Sequence, residues 1–226
     1  NYSMKYKKIF ISGTNTEVGK TFITENIIKS IESLGMLVSP FKPVETGCKK
    51  KLSELIPHDS SIYYKAINKR ISLNKINPYR FLPPISPATA IKLSNKRITI
   101  SNYLSKFKSL PHCDFSVIEG AGGLFSPLAL DGFNIDLIKK IKAPTILVAK
   151  DEIGVINNVM LSLNILRQYK IKVIAVILNR IDKIQPTGMN NYKEIGALIK
   201  TPLIQILNKS KNNQKEFKKL IKLITG

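Results

Sequence analysis

A short apolar run at residues 8–12 leads straight into Gly13-Thr-Asn-Thr-Glu-Val-Gly-Lys-Thr21, and that segment leads straight into a periodic apolar stretch. Strand, glycine-bounded loop and helix, in that order, are the setting a phosphate-binding loop needs. The spacing is a variant. The common pattern places a glycine five positions before the Gly-Lys pair; here that position is Thr14 and the glycine is Gly13, so the loop is one residue longer. The chemistry survives the extra residue. The backbone N–H groups of Asn15, Thr16, Glu17, Val18 and Gly19 can cradle phosphate oxygens, and the helix start adds positive potential. Lys20 can reach terminal phosphates, and Thr21 can offer its hydroxyl to Mg²⁺. A plain strand-to-helix turn that merely contains Gly-Lys-Thr would not require such flanks.

The rest of the chain repeats the alternation. Residues 21–34 carry Phe22, Ile23, Ile27, Ile28, Ile31 and Leu34 at helical spacing, with Gly35 as a stop. Residues 36–41 read as a strand ending before Lys42-Pro43, and residues 115–118 as a strand ending at Glu119. Strands over 144–149 and 172–178, the latter ending at Asn179, alternate with helices over 134–141, 157–168 and 189–200. Residues 202–207 are short and apolar, and 215–224 read as a basic amphipathic helix. The middle is less regular: 59–66 and 98–110 read as helices, whereas Pro78, Pro83, Pro84 and Pro87 argue for a loop with fixed turns. The pattern predicts an α/β fold, a single P-loop domain over 4–226 with a mostly parallel central sheet covered by helices on both faces. Asn1, Tyr2 and Ser3 precede the first methionine and enter no structural expectation.

Composition narrows the function classes. The 226 residues suffice for one well-buried core. No apolar run reaches the ~18 residues of a membrane span, and the short run at 9–11 does not make a signal peptide. Two cysteines, Cys48 and Cys113, form neither a disulfide framework nor a Cys-x-x-Cys site, and His58 and His112 are too few for a histidine-rich metal centre. A reducing, cytoplasmic setting fits. The net charge of +21 raises nucleic acid or a membrane surface as partners. Lysine outnumbers arginine 31 to 5, however, and the lysines are spread along the chain. Arginine is the residue expected where phosphates or base edges are read by a rigid fork. The charge is therefore read as solvated surface that attracts small anions, with no specific nucleic acid and no membrane partner.

Three further groups fit a phosphoryl-transfer site. Glu119 ends an apolar strand and is followed by Gly120-Ala-Gly-Gly123, so its carboxylate can hold Mg²⁺ or the ion's water shell while the glycines let a ligand approach the backbone. The alternative is a glycine turn beside a solvated acid. Asp59 is a second acidic candidate, and also a residue type that caps helices. Lys42 follows a strand end in Lys42-Pro-Val-Glu-Thr-Gly47 and can offset charge on a moving phosphoryl group.

These blocks, together with Ile153-Gly-Val-Ile-Asn157, resemble the dethiobiotin synthetases in order and spacing from residue 8 to about residue 195. The resemblance implies an ATP- and Mg²⁺-dependent cyclo-ligase of biotin biosynthesis. It would close a ureido ring on 7,8-diaminopelargonic acid with CO₂ or bicarbonate carbon, through a carbamate and a carbamic-phosphoric anhydride. By the same resemblance Thr21, Asp59 and Glu119 bind the metal. Lys20, Lys42, Thr16 and Glu17 serve the reacting phosphates and carbamate, and Gly13, Asn15, Val18 and Gly19 complete the nucleotide loop. Thr46 and Gly122 join the substrate region, and Asn179 reads the adenine edge. The family is a homodimer, which places Gly154, Val155 and Asn157 at a helix start that receives the substrate carboxylate across the interface, with Tyr192 assisting. Two features depart from the family pattern: Asn158 replaces a histidine, and a Gly-x-x-Pro segment is missing from 202–208. The nearest rival is a cobyrinate-type amidating synthetase, disfavoured because the chain has no glutaminase domain. A rival of another class is a partitioning or septum-positioning ATPase. Its loop would carry an early signature lysine, as in Lys-Gly-Gly-x-Gly-Lys-Thr, which this sequence lacks.

Overall fold

Alternating apolar side chains of the central strand divide between the two faces of one sheet. Ile9 and Ile11 pack to one side and Phe10 to the other, as a period of two dictates. The computed structural model describes residues 4–182, 184–208, 210 and 213–226; residues 1–3 lie outside that set. In chain order it begins β1 (Lys8–Gly13), α1 (Lys20–Glu32), β2 (Val38–Phe41), β3 (Val44–Glu45), β4 (Lys49–Lys51), β5 (Glu54–Ile56), α2 (His58–Ala66) and α3 (Leu73–Ile76). There follow β6 (Tyr79–Arg80), α4 (Pro87–Leu93), α5 (Ile100–Lys108), β7 (Phe115–Gly123), β8 (Pro127–Ala129), β9 (Gly132–Phe133) and α6 (Asn134–Ile141). The last elements are β10 (Thr145–Lys150), α7 (Val155–Gln168), β11 (Val173–Arg180), α8 (Asn191–Leu198), β12 (Leu203–Leu207) and α9 (Asn213–Thr225).

Six strands make one sheet in the order β12-β11-β10-β1-β7-β2, and every pairing is parallel. Helices cover both faces, as a parallel sheet requires. On one face α1 buries Ile23, Ile27, Ile28 and Ile31, each fully shielded, beside Phe217 and Leu220 of α9. Each such side chain stabilises the fold by about 1.5–3 kcal/mol relative to exposure. On the other face Leu147 and Ala149 of β10 meet Val155 and Val159 of α7 and Ile195 of α8.

The expected α/β sheet is therefore present, with differences that have identifiable causes. The proline-rich stretch read as a loop is irregular from 81 to 86 but holds the short strand β6 and ends where α4 begins, because Ser86 caps that helix through Thr89 N and Pro87 supplies the fixed φ of a first helical residue. The expected strand over 115–118 continues as β7 to Gly123, pairing Gly13 with Gly123 after a shift in register. The 202–207 run is the edge strand β12. Three two-stranded sheets, β3–β6, β4–β5 and β8–β9, have no counterpart in the sequence reading. Among the described residues no helix is long and apolar enough to cross a membrane.

Candidate functional site

The carboxyl ends of β1, β2 and β7 open onto a cleft of about 700 Å³, the usual position for a ligand in an open α/β sheet. Its floor is the expected phosphate loop. β1 ends at Gly13, and α1 starts at Lys20 after Gly19, whose φ of 89° is left-handed. A side chain at Gly19 would also strike Asn179 Nδ2 at 2.1 Å, so both backbone and space demand glycine there. Gly13 is constrained by space alone: a Cβ would lie 2.7 Å from the Asn15 carbonyl and 2.9 Å from Lys20 Nζ. The loop holds its own shape. Thr16 N–H donates to Asn15 Oδ1 at 2.8 Å, and Asn179 Nδ2 donates to the Val18 carbonyl at 3.0 Å.

Lys20 folds back on this loop and donates to the Asn15 carbonyl at 2.9 Å. It is 7% exposed. Burial lowers its ammonium to about 8, with Glu119 pulling upward and Lys42 downward. A phosphate arriving in the loop supplies the counter-charge that burial has removed.

Strand register places the second lysine. β2 pairs with β7 so that Phe41 faces Ile118, which sets the next residues, Lys42 and Glu119, side by side. Lys42 Nζ donates to Glu119 Oε1 at 2.6 Å and to Asp59 Oδ2 at 2.7 Å. Burial works against the ammonium, but Glu119, Asp59 and Glu45 more than offset it and hold Lys42 charged, above the ordinary lysine range. Burial also pushes Asp59 upward, yet Lys42 and hydrogen bonds from Lys42, His58 and Thr21 hold its carboxyl well below the usual range. The remaining Glu119 oxygen accepts from the Thr24 hydroxyl at 2.5 Å and from the Tyr63 hydroxyl. Burial, and then Glu119, keep the Tyr63 phenol protonated well beyond its ordinary value, so it stays a donor.

Asp59 is placed from a distance. The N-terminus of α2 has Pro57 as its cap and no local side-chain cap. Glu45, 6% exposed, fills that role: it accepts from Asp59 N–H at 2.8 Å, Ser60 N–H at 3.1 Å and the Ser60 hydroxyl at 2.7 Å. Glu45, Tyr63 and Thr24 were not singled out in the sequence. Two had a signal, because Tyr63 is four residues after Asp59 and Thr24 three after Thr21, so each shares a helix face with an expected site residue.

Mg²⁺ fits this constellation. Asp59 and Glu119 already bracket one cation, the Lys42 ammonium, and the Thr21 hydroxyl bonds Asp59. These are the hard oxygen donors that Mg²⁺ takes.

Of the expected residues, Thr16, Glu17, Gly19, Lys20, Thr21, Lys42, Thr46, Asp59, Glu119 and Gly122 all line the cleft. Gly13, Asn15 and Val18 shape the loop around it without facing it, and Asn179 lies under the loop as a prop. Four residues are not brought to this cleft. Gly154 and Asn157 are exposed at the start of α7, and Val155 packs into the core. Tyr192 borders a separate shallow cavity of about 210 Å³ with Gln205, Leu207, Asn213 and Glu216.

A family model described as an AAA domain matches residues 7–216. The ATP-dependent dethiobiotin synthetase BioD of Vesicomyosocius okutanii subsp. Calyptogena okutanii is 36% identical over 218 residues, spanning 96% of each chain. The BioD of Ruthia magnifica subsp. Calyptogena magnifica is 34% identical, over 84% of this chain and 85% of that protein. Among solved structures, a plasmid partition protein from Borrelia burgdorferi superposes with a TM-score of 0.58 at 15% identity, covering 97% and 96% of the two chains. A ParA family ATPase from Chlorobium tepidum TLS gives 0.52 at 15% identity, covering 97% and 90%. At that identity the likeness is one of fold alone.

Proposed function

The chain belongs to the dethiobiotin synthetase family, and from that premise we propose that one unit over residues 4–226 closes the ureido ring of dethiobiotin from 7,8-diaminopelargonic acid, CO₂ and ATP. It is an ATP-dependent ligase of biotin biosynthesis. The observation that carries the proposed chemistry is the buried Lys42, clasped by Asp59 and Glu119 at the head of the phosphate loop. It supplies fixed charge where a phosphoryl group would be transferred.

In this reading one amine of the diamine adds to CO₂ and loses a proton, giving a carbamate. A carbamate oxygen attacks the γ-phosphorus as the bond to ADP breaks. The second amine then attacks the carbonyl carbon, loses its proton, and inorganic phosphate departs. Hydroxide would leave poorly; phosphate leaves well. Thr21, Asp59 and Glu119 would hold Mg²⁺, which neutralises phosphate charge when bound. Lys20 turns from the Asn15 carbonyl to the transferring phosphate, and Lys42 offsets charge on the phosphate and carbamate oxygens. Thr16, Glu17, Thr46 and Gly122 shape the carbamate region. Asn179 stays with the nucleotide as a prop of its loop and, by the family resemblance, as reader of the adenine edge.

The same reading has a cytoplasmic homodimer in which Gly154, Val155, Asn157 and Tyr192 complete the partner's cleft at the substrate carboxylate. A helix start with free N–H groups suits an anion. No specific nucleic acid and no membrane takes part. The test is phosphate release from ATP with and without 7,8-diaminopelargonic acid and bicarbonate, with the organic product identified by mass. Release that ignores the diamine, with no new cyclic urea, would overturn the reading.

A further inference from the structure

Asp151 is 4% exposed, although it has no role in the cleft. It opens the turn after β10, and three hydrogen bonds meet at it. Its N–H donates to the Asn179 carbonyl at 2.9 Å, and its own carbonyl accepts from Gln185 Nε2 at 2.8 Å. Its carboxylate Oδ1 accepts from Asn191 Nδ2 at 2.8 Å. Asn191 is itself 6% exposed, and the same amide group donates to the Glu152 carbonyl at 3.1 Å. The neighbouring cation offers no alternative, since Lys150 is engaged with Glu152 and Asp182.

A carboxylate withdrawn from water onto a neutral amide carries a desolvation cost that the hydrogen bond offsets only in part, and the bond fixes both groups in place. What it fixes is the meeting of two helix starts. Asn191 is the first residue of α8, and Tyr192 is the second. The segment from Asp151 to Gly154 opens α7, where the Val155 N–H donates back to the Glu152 carbonyl at 3.2 Å. On its other side Asp151 reaches the phosphate loop only through its own N–H, which donates to the Asn179 carbonyl, while the Asn179 side-chain amide donates to the Val18 carbonyl. The side chain therefore acts on the α7–α8 corner and leaves the loop to the main chain.

We propose that Asp151 is a positioning residue that locks the start of α8 to the start of α7, so that Tyr192 and the Gly154–Asn157 turn keep one fixed placement relative to each other. This rests on the reading that those residues receive the substrate carboxylate. The lock is a hydrogen bond, so Asp151→Asn preserves it, because Asn191 Nδ2 finds an amide oxygen in place of the carboxylate. Asp151→Ala and Asn191→Ala both remove it.

Steady-state kinetics with diamine and ATP varied separately test the assignment, with Asn157→Ala as the reference and thermal melts as a folding control. Asp151→Ala and Asn191→Ala are each expected to raise the diamine KM at least fivefold and to leave the ATP KM within twofold. Asp151→Asn is expected to stay within twofold of the parent in both. If Asp151→Ala fails to fold, Asn191→Ala and Asp151→Asn carry the same test. A diamine KM raised by Asn157→Ala but unmoved by loss of the lock overturns the positioning role. Equal loss against both substrates, or a defect in Asp151→Asn as large as in Asp151→Ala, overturns it too. A diamine KM unmoved by Asn157→Ala itself instead removes the carboxylate reading on which the proposal stands.

Discussion

Lys42 and Tyr192 stand at opposite extremes of one proposed site. Lys42 is 4% exposed and clasped by two carboxylates, and its backbone is tied on both sides, the N–H to the Ile76 carbonyl and the carbonyl to Asn77 Nδ2. Tyr192 is 40% exposed, on the rim of a shallow cavity away from the cleft. Its companions on α7 are similar: Asn157 is exposed, and Ile153 just before the helix is 79% exposed. The phosphate end is thus assembled within one chain before any ligand arrives, while the far end is held in shape but left open. The difference follows from chemistry. Charge transferred between phosphates must be met by groups already desolvated and oriented. A distant carboxylate needs only N–H groups and an interface, which a second copy can supply by two-fold symmetry.

The sharpest way to break this contrast is Lys20→Ala. Loss of the phosphate-facing ammonium is expected to lower kcat by at least about a hundredfold, the range for removing one electrostatic clamp, or ~3 kcal/mol. The melting temperature is not expected to fall, because Lys20 is desolvated and makes one hydrogen bond to a carbonyl. Near-normal turnover by a folded variant would end the claim that this end is the reacting end.

Glu119→Gln comes next. The carboxylate meets Lys42, Thr24 and Tyr63 together, so the neutral amide leaves Lys42 with Asp59 alone and cannot accept every donor. Removing one partner of a buried pair typically costs about 3–5 kcal/mol, and an isosteric amide less. The midpoint of activity against Mg²⁺ is expected to rise about tenfold, with a smaller change in diamine KM. An unchanged midpoint and an unchanged rate would exclude a metal role for Glu119.

The same contrast governs what the sequence could reveal. The phosphate end was legible because its parts lie in local motifs: a glycine-bounded loop, and lysine or glutamate at the ends of apolar runs. Parallel register then brought Lys42 to Glu119 without further information. Glu45 was not legible as a cap, since the helix it caps begins thirteen residues later and the bond forms only in three dimensions. The exposed hairpin of β4 and β5 has no alternating pattern, and three of its residues are consecutive lysines. Helix α4 was not foreseen after the last of the four prolines, because a proline that breaks regular structure is equally suited to open a helix as its first residue. At the far end the resemblance supplied the residues, and this chain places them away from its own cleft.

A pH experiment sharpens the contrast more gently. The ordinary value for lysine is 10.5, and burial holds Lys20 at about 8 in the free protein. Between these values the unfolded chain binds a proton that the folded chain does not. Stability from this group therefore rises with pH from about 8 to about 10.5, and is lowest below 8. Bound phosphates reverse the preference, so nucleotide binding near pH 8 is expected to take up about half a proton. Calorimetric titrations in two buffers of different ionisation enthalpy measure that uptake, and Lys20→Met should abolish it. Equal apparent enthalpies in both buffers for the parent protein would mean that Lys20 keeps its proton throughout and is not the group that meets the phosphates.

The smallest expected effect tests the open end. Asn157 sits in the first turn of α7, a helix start where a carboxylate is a natural guest, with the Val155 N–H already taken by the Glu152 carbonyl. Asn157→Ala leaves the backbone N–H in place and removes the side-chain amide; loss of one side-chain hydrogen bond is worth about 1 kcal/mol, so the variant should raise the diamine KM about fivefold. The ATP KM should stay within twofold, because Asn157 lies outside the cleft that holds the phosphate loop. An exposed position also means little cost to folding, so a lower melting temperature is not expected. Sedimentation velocity beside the kinetics separates two ways of failing. A parent protein that is monomeric and fully active would show that the cleft needs no second copy, and the open end would then be ordinary surface. A defect confined to ATP would move Asn157 to the nucleotide side and erase the division between the ends. A diamine-specific defect in a dimer supports the half-site, because the residue lies outside its own chain's cleft and yet alters the affinity of one substrate alone.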